Sequence, residues 1–342
     1  MQDLTISIVV PAYNAAADIE HFLASLLPQL TERDECIIVD DGSRDRTKEL
    51  VRAAGVRLIE LERNSGPAAA RNHGAAHASG EILLFLDSDV VPDGGLLELV
   101  RAHFAEPGHA PAVMGSYDDK PLGQTTVSRF RNLLHCYTHH TGNREASTFW
   151  TGCGAMRKDL FHEMGGFAAE QFGIPSIEDV DLGIRVRQAG HRILLNPDLQ
   201  VQHRKIWTWA SMIRTDVFHR AVPWSKLMLG GTNLPADLNF KPEQRLCAIA
   251  VVLATGLLPL LFWVPLWAGL GIALLLGYVT AVNWPFYRFL ARRGGWGFAI
   301  RSMPAHWVYY WSGVIGMGLA FVSHAREKWF RRSRDRQPAS ES

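Results

Sequence analysis

The stretch Gly80-Glu81-Ile82-Leu83-Leu84-Phe85-Leu86-Asp87-Ser88-Asp89-Val90 decides the fold of this chain. Its unbroken apolar run predicts a strand that is buried on both faces, as in a parallel sheet. Ligands of such sheets bind at the carboxyl ends of the strands, where Asp87 and Asp89 follow this one. Two carboxylates so close repel each other unless a cation lies near, and Mg²⁺ and Mn²⁺ prefer oxygen ligands. The stretch therefore indicates a metal–diphosphate site, or else a solvated Asp-Ser-Asp turn.

The residues before this stretch alternate between apolar runs and helical patterns. The sequence predicts strands and helices that alternate along the chain, with strands at about 6–10, 36–39 and 56–61 and helices at about 15–30, 46–54 and 66–79. This order requires a parallel sheet with right-handed crossovers, and hence an α/β fold. Polar or acidic residues follow the first, second and fourth strands at one edge of that sheet. This convergence favours a binding site over a simple turn.

Five motifs in a fixed order give the chain a family resemblance. They resemble the motif set of glycosyltransferase family 2 and comprise Val9-Val10-Pro11-Ala12-Tyr13-Asn14, Asp40-Asp41-Gly42-Ser43, Gly66 to Asn72, Asp87-Ser88-Asp89 and Glu178-Asp179. The resemblance covers about residues 4–205. It implies a GT-A fold, which is Rossmann-like with a mainly parallel sheet. It also implies sugar transfer from a nucleotide-diphosphate sugar, most often a UDP-sugar, with inversion at the anomeric carbon.

The resemblance assigns several residues to the nucleotide sugar. Asp41 would accept a hydrogen bond from the nucleobase with Asp40 in support, and Arg71 would contact the nucleotide through its rigid donor fork. Gly66 would let the backbone approach the ligand closely. The other residues expected at this site are Pro11, Ala12, Tyr13, Asp87, Ser88 and Glu178. Simple packing is the alternative for Tyr13, and a structural ion pair is the alternative for Arg71.

The metal and the catalytic base are also implied by the resemblance. Asp89 would bind Mg²⁺ or Mn²⁺ as cofactor, Asp87 would contact the ribose or the metal and its water, and His203 would be a further metal or diphosphate ligand. Asp179 would be the general base that takes the proton of the acceptor hydroxyl. Acidic residues at 178–179 also suit the first turn of a predicted helix that ends at Gly190, so helix capping is the alternative.

Composition restricts the class of protein. The chain has 342 residues with a formal net charge of +1, which argues against nucleic acid as a main partner. Its cysteines have no metal-ligand spacing, and we interpret them as reduced thiols of a cytoplasm-facing domain: Cys36, Cys136, Cys153 and Cys247. The first strand begins almost at the N-terminus, so no signal peptide is expected.

The C-terminal third is expected to enter a membrane. Residues 246–284 contain no Asp, Glu, Lys or Arg, and this run is far longer than the roughly 20 residues that cross a bilayer. The pattern predicts transmembrane spans at about 246–264 and 266–284. A third apolar segment at 303–323 is rich in Trp and Tyr, which suit a membrane interface. We expect a multi-pass protein of the cell inner (plasma) membrane whose catalytic domain is cytoplasmic.

Basic residues leave the topology of the third segment open. One basic cluster precedes this segment and another follows it: Arg288, Arg292, Arg293 and Arg301, then Arg326, Lys328, Arg331, Arg332, Arg334 and Arg336. Both clusters favour the cytoplasmic side, and three full crossings cannot satisfy both. Either the third segment is a re-entrant or interfacial element, which we favour, or the charge rule is broken once.

These features divide the chain into four parts. We expect a GT-A glycosyltransferase domain at 1–205, an amphipathic interfacial helix and linker at 206–245, a transmembrane region at 246–323 and a basic, disordered tail at 324–342. The amphipathic pattern covers 207–229 and suits the headgroup plane. A surface helix packed on the domain is its alternative. The histidine-containing stretch 120–149 is interpreted as a variable, mobile acceptor-side segment.

Three functional hypotheses follow. The leading one is an inverting glycosyltransferase with a lipid or lipid-linked acceptor, because a hydrophobic anchor would place the acceptor site at a membrane. A processive polysaccharide synthase is the second, although the Gln-x-x-Arg-Trp motif of such enzymes is replaced by Arg220-Ala221-Val222-Pro223-Trp224. The third is an inactive nucleotide-sugar-binding scaffold. The presence of Asp87, Asp89 and Asp179 favours an enzyme over this scaffold.

Overall fold

The structure is a computed structural model that describes residues 4–171, 177–230 and 241–334, with side chains to residue 328. The chain forms two compact units, of which the first ends at Trp207 and the second begins at Thr208. The last residues of the predicted linker, 231–240, and residues 335–342 of the predicted tail lie outside the described residues.

The first unit is built on one mixed sheet. Its nine strands in the described residues are β1 (Ile6–Ala12), β2 (Glu35–Asp40), β3 (Arg57–Glu60), β4 (Ile82–Leu86), β5 (Val90–Pro92), β6 (Ala112–Tyr117), β7 (Glu145–Ala146), β8 (Cys153–Arg157) and β9 (Ile193–His203). They lie in the order β3-β2-β1-β4-β8-β6-β9-β5, and β7 pairs with β9. The four predicted strands β1 to β4 are parallel to one another. Strand β8 runs antiparallel to both β4 and β6.

Helices cover this sheet. The first unit contains α1 (Ile19–Leu26), α2 (Thr47–Ala53), α3 (Pro67–Ala76), α4 (Leu96–Ala105), α5 (Thr126–His140), α6 (Lys158–Glu163) and α7 (Glu178–Gln188). Helix α1 buries Ile19, Phe22, Leu23 and Leu26, which recur at the helical period that the sequence shows. Helix α3 follows Gly66, whose φ of 87° is easily reached only by glycine, and starts with Pro67 at its first position.

Strand pairing brings the polar strand ends together. Ala12 at the end of β1 lies opposite Asp40 at the end of β2, and β4, on the other side of β1, ends directly before Asp87. Strand β5 pairs with β9 so that Val90 lies opposite His203. One sheet edge therefore collects the residues that follow these strands.

Aromatic rings fill the core beneath this edge. Phe85 of β4 contacts the rings of Phe149, Phe161 and Phe167, with centroid distances of 6.5, 5.2 and 5.2 Å. All four side chains are buried. Phe149 and Phe167 come from segments that flank β8 and precede α7, so this packing fixes those segments to the central strand.

The prediction of a mobile segment at 120–149 is wrong for its central part. Residues Thr126–His140 form the regular helix α5, and the hydroxyl of Thr125 caps it by accepting from the Ser128 amide at 3.3 Å. Its apolar residues have helical spacing and are buried: Val127, Phe130, Leu133 and Leu134. The helix packs on β6, and this burial explains its order.

The second unit is helical. It contains α8 (Trp209–Arg214), a π-helical stretch (Thr215–Ala221), α9 (Val222–Leu229), α10 (Pro242–Leu257), a 3₁₀ turn (Leu258–Phe262), α11 (Pro265–Val282) and α12 (Trp284–Arg334). The first three elements are continuous and are called the 209–229 helix below. Helix α12 is broken at Gly295, whose φ is 79°.

Two helices of the described residues are long and apolar enough to cross a membrane, Pro242–Phe262 and Pro265–Val282. They coincide with the first two predicted spans. The third predicted segment, 303–323, lies within α12 and is not one of them. Membrane association is therefore indicated by length and composition at two of the three predicted places.

Gly115 offers a test of the sheet. It lies where the β6–β9 register shifts, and a Cβ atom added there would lie 2.1 Å from the carbonyl oxygen of Leu199. We expect Gly115→Ala to destabilise the domain by about 1–3 kcal/mol, because the backbone of β9 must move. Gly94→Ala is the matched control, since nothing lies within 4 Å of its added Cβ. Thermal unfolding of the full chain measures the difference, and equal Tm values would contradict the register described here.

Candidate active site

Arg71 is the centre of the site. It lies on α3 and is 4% exposed. Its Nη2 atom donates to Oδ1 of Asp87 at 2.7 Å, and its Nη1 atom donates to Oε1 of Glu178 at 2.9 Å. The two carboxylates come from the end of β4 and the first turn of α7. One buried guanidinium therefore connects two acidic motifs that are 91 residues apart in sequence, from position 87 to position 178.

Asp179 is placed beside this ion pair. Its Oδ2 atom accepts from the backbone amide of Thr151 at 3.2 Å and from the Thr151 hydroxyl at 3.4 Å. Burial, and then the neighbouring carboxylate of Glu178, raise the pKa of Asp179 to about 7, although Arg71 opposes this shift. A carboxylate with a pKa near neutrality can accept a proton at physiological pH and release it again.

Asp89 lies against His203 at the end of β9. The distance from Oδ2 of Asp89 to Nε2 of His203 is 3.5 Å. Burial would raise the pKa of Asp89, but the neighbouring His203 outweighs it, and the net shift is downward. Nδ1 of His203 lies 2.9 Å from Oδ1 of Asn132. A proton on Nδ1 would be held by this amide oxygen and would leave the Nε2 lone pair directed to the Asp89 side.

A divalent cation fits this donor set. The carboxylate and imidazole of Asp89 and His203 are suitable ligands, and the histidine has the outer partner that metal-bound histidines usually have. Three carboxylates, those of Asp87, Glu178 and Asp179, also lie near the single guanidinium of Arg71, and a cation would compensate this excess of negative charge. In the described ranges no three His, Cys, Asp or Glu side chains are grouped to hold a metal ion. Diphosphate oxygens and water would complete the coordination, as is usual for Mg²⁺.

Asp41 and Asp40 shape the neighbouring loops. The carboxylate of Asp41 accepts from the amides of Ser65 and Gly66 at 2.7 and 2.8 Å, and Asp40 accepts from the Ser43 amide at 3.0 Å. Both aspartates are buried. The Asp41 bonds hold the loop that opens α3, yet each carboxylate oxygen has a second lone pair for a ligand donor. Oδ1 of Asp40 is buried and has no hydrogen-bond partner within the described part of the chain.

The remaining expected nucleotide-sugar residues lie at the same edge. Pro11 and Ala12 end β1, and the side chain of Tyr13 that follows is 48% exposed. Ser88 lies in the turn between β4 and β5. An exposed tyrosine next to buried Ala12 and Asp40 is free to stack on a ring, which simple packing in the core would not allow.

Sequence reasoning missed three contacts of the expected residues. Asn132 hydrogen-bonds His203, and Thr151 hydrogen-bonds Asp179. The ring of Tyr117 stacks on that of His203 with a centroid distance of 4.4 Å. The helical period of α5 could have placed Asn132 on a helix. Its pairing with His203 spans 71 residues and has no signal in a single sequence.

Comparison with known proteins agrees with this architecture. Residues 7–165 match the family described as Glycosyl transferase family 2, so the chain carries a glycosyl transferase family 2 domain. The matched range includes Arg71, Asp87 and Asp89 and ends before Glu178, Asp179 and His203.

Two relatives illustrate the similarity. The pre-mycofactocin glycosyltransferase of Mycobacterium tuberculosis is 27% identical over 335 residues, which cover 90% of this chain and 65% of the relative. An uncharacterized glycosyltransferase of Haemophilus influenzae is 44% identical over 195 residues, which cover 54% of this chain and 62% of the relative. The chain thus spans less than two thirds of the length of these relatives.

A solved structure shares the fold. The mannosyltransferase PcManGT from Pyrobaculum calidifontis, solved in complex with GDP-Man and Mn²⁺, superposes with a TM-score of 0.57 and 20% sequence identity. The similarity covers 91% of this chain and 86% of that one. The first unit is therefore a GT-A-like domain with a mixed, mostly parallel sheet, followed by C-terminal helices.

The buried ion pair of Arg71 predicts a large stability effect. Arg71→Met should destabilise the protein by about 3–5 kcal/mol, because buried Glu178 and partly buried Asp87 would keep their charges without a partner. Arg52→Met is the control, since Arg52 pairs with Glu60 at the surface, where such pairs contribute about 0–1 kcal/mol. Urea unfolding of both variants measures the difference. If both variants lost a similar amount of unfolding free energy, the buried ion pair of Arg71 would not contribute more to stability than a surface pair.

Proposed function

We propose that this protein is an inverting glycosyltransferase that moves a sugar from a nucleotide-diphosphate sugar to a lipid or lipid-linked acceptor. A UDP-sugar is the expected donor. The observation that carries the proposal is the connection through Arg71, which places the Asp87 motif and the Glu178-Asp179 motif around one buried guanidinium. A donor site and a general base must be neighbours in a single-displacement reaction.

Asp179 is proposed as the general base. In its ionised form it would accept the proton of the acceptor hydroxyl while that oxygen attacks the anomeric carbon from the face opposite the diphosphate. The bond to the diphosphate breaks in the same displacement, which inverts the configuration. The Thr151 amide and hydroxyl hold one oxygen of Asp179 in place. The other oxygen, Oδ1, accepts from the backbone amide of Val180 at 2.8 Å. Among the described residues it has no other hydrogen-bond donor.

The nucleotide and its diphosphate would be held by the strand ends. Asp40, Asp41 and Tyr13 are proposed to bind the base, and Asp87 and Ser88 the ribose side. Asp89 and His203 would hold Mg²⁺ or Mn²⁺. When bound, the cation would supply positive charge that stabilises the leaving nucleoside diphosphate.

A lipid acceptor is supported by the second unit. It contains two helices with the length and composition to cross a bilayer, which a transferase for a water-soluble acceptor would not need. We propose that the protein resides in the cell inner membrane with its catalytic domain in the cytoplasm. A processive synthase is less well supported, because the sequence at 220–224 lacks the Gln-x-x-Arg-Trp motif of such enzymes.

The proposal is tested by nucleoside diphosphate release. The detergent-purified full chain is incubated with a panel of UDP- and GDP-sugars and total membrane lipid, with Mg²⁺, Mn²⁺ or EDTA. We expect release from one donor that requires lipid and cation and is lost in Asp89→Ala. Nucleotide binding without release from any donor would favour the inactive scaffold instead.

Asp179→Asn tests the base. Transfer should fall by about 10²–10⁴-fold, because the amide cannot accept the proton, while nucleotide binding is unchanged. Asp181→Asn is the matched control on the same helix, since Asp181 pairs with Arg185 at 2.9 Å and an amide oxygen can keep that bond. Retained turnover in Asp179→Asn would remove Asp179 from the base role.

The pKa of Asp179 predicts the pH dependence. This pKa is raised to about 7, so the carboxylate is increasingly protonated, and inactive as a base, as the pH falls through that value. At saturating metal, kcat/KM should drop about tenfold per pH unit below the midpoint and level off above it. A profile that stays flat through neutrality would contradict this assignment.

A further inference from the structure

Helix α12 contacts the hairpin of α10 and α11 from the open end of that hairpin inwards along α10. Tyr310 packs with Cys247, Val251 and Val279. Its hydroxyl donates to Oε1 of Gln244 at 2.6 Å and accepts from Nδ2 of Asn283 at 2.9 Å. Gln244 lies in the first turn of α10, and Asn283 directly follows α11. Nε1 of the neighbouring Trp311 donates to Oγ1 of Thr255 at 3.1 Å, so the contacts of the middle of α12 extend from the open end of the hairpin past the middle of α10.

Beyond this point α12 packs along the 209–229 helix. Gly316 lies so close to Ala221 that an added Cβ atom would be 2.3 Å from the Ala221 Cβ atom. Further along, Nζ of Lys226 lies 3.8 Å from Oε1 of Glu327. The apolar segment 303–323 is thus paired with a helix from the same unit over much of its length.

The partner helix carries charges that do not enter hydrocarbon. The 209–229 helix contains Arg214, Asp216, Arg220 and Lys226. An ionised side chain is unfavourable at the bilayer centre even on the most lenient scale. Gly316 touches this helix at Ala221, so the two helices share one depth at this contact. A helix with these charges favours the headgroup region over the bilayer core.

Exposed apolar side chains supply the face for the lipid. Trp209, Ile213 and Phe218 are exposed on the 209–229 helix, and α12 exposes Ile315, Met317, Phe321 and Val322. Amphipathic helices with aromatic residues on one face and basic residues on the other bind in the interface plane. Basic residues flank the α12 segment on both sides, at Arg301 and Arg326, as a segment with both ends in the cytoplasm requires.

We propose that the chain crosses the bilayer twice, through α10 and α11, and that the segment 303–323 lies with the 209–229 helix in the cytoplasmic interface of that bilayer. This inference rests on the proposed membrane attachment. Both basic clusters that flank the segment 303–323 are then on the cytoplasmic side, as the distribution of positive charge requires. The paired helices form the surface that contacts the cytoplasmic leaflet.

Cysteine labelling tests this topology. Single cysteines replace Phe262 at the hairpin tip, Arg292, and Ala325 in a background in which the four natural cysteines are alanine. Vesicles of known orientation are treated with a membrane-impermeant maleimide. Arg292→Cys and Ala325→Cys should react from the same side, and Phe262→Cys from the opposite side. Reaction of Ala325→Cys from the Phe262 side would show a third crossing and overturn the inference.

Carbonate extraction followed by sedimentation tests membrane attachment separately from the topology of the segment 303–323. The full chain should stay with membranes after carbonate extraction; a chain that is released would refute attachment and topology together. Gly316→Leu then tests the helix pairing, because leucine clashes with Ala221. It should lower the apparent Tm in detergent, whereas Gly318→Leu should not, since nothing lies within 4 Å of its added Cβ. Equal Tm values would contradict the pairing.

Discussion

The catalytic unit depends on one buried positive charge. An arginine with almost no contact with water needs negatively charged partners, and those of Arg71 are Asp87 and Glu178, which bind its two terminal nitrogens. Helix α3, strand β4 and helix α7 are therefore held in one arrangement. Asp89 follows Asp87 by two residues, and Asp179 follows Glu178. The positions of the proposed metal ligand and the proposed base thus derive from the same ion pair.

The sequence predicts those parts of this site that have a local signal. Apolar runs mark β1 to β4, and their parallel order follows from the helices between them, so local patterns alone place the polar strand ends at one edge. The pairing of Arg71 with Glu178 has no such signal, because it joins residues 107 positions apart. The family resemblance assigned both to the nucleotide sugar. The geometry gives them a common role in joining two motifs, and their role toward a ligand stays a prediction.

The stretch 120–149 shows why one part of the fold was misjudged. Its apolar residues from Val127 to Leu134 already have helical spacing in the sequence. Burial of that face against β6 orders the segment and brings Asn132 to His203. Tertiary contacts of this kind decide which histidine has a partner, and neither spacing nor composition contains that information.

Electrostatics explain why Glu178 and Asp179 are useful as neighbours. A buried carboxylate beside a second one would hold its proton far above neutral pH, and a carboxylate beside an unopposed arginine would be too weak a base. Burial and the carboxylate of Glu178 raise the pKa of Asp179, whereas the guanidinium of Arg71 lowers it. The result is a pKa of about 7. A base of that pKa takes a proton during the displacement and returns it to water afterwards. Burial is the main cause of this raised pKa, and the ion pair that orders the site adjusts it, upward through Glu178 and downward through Arg71.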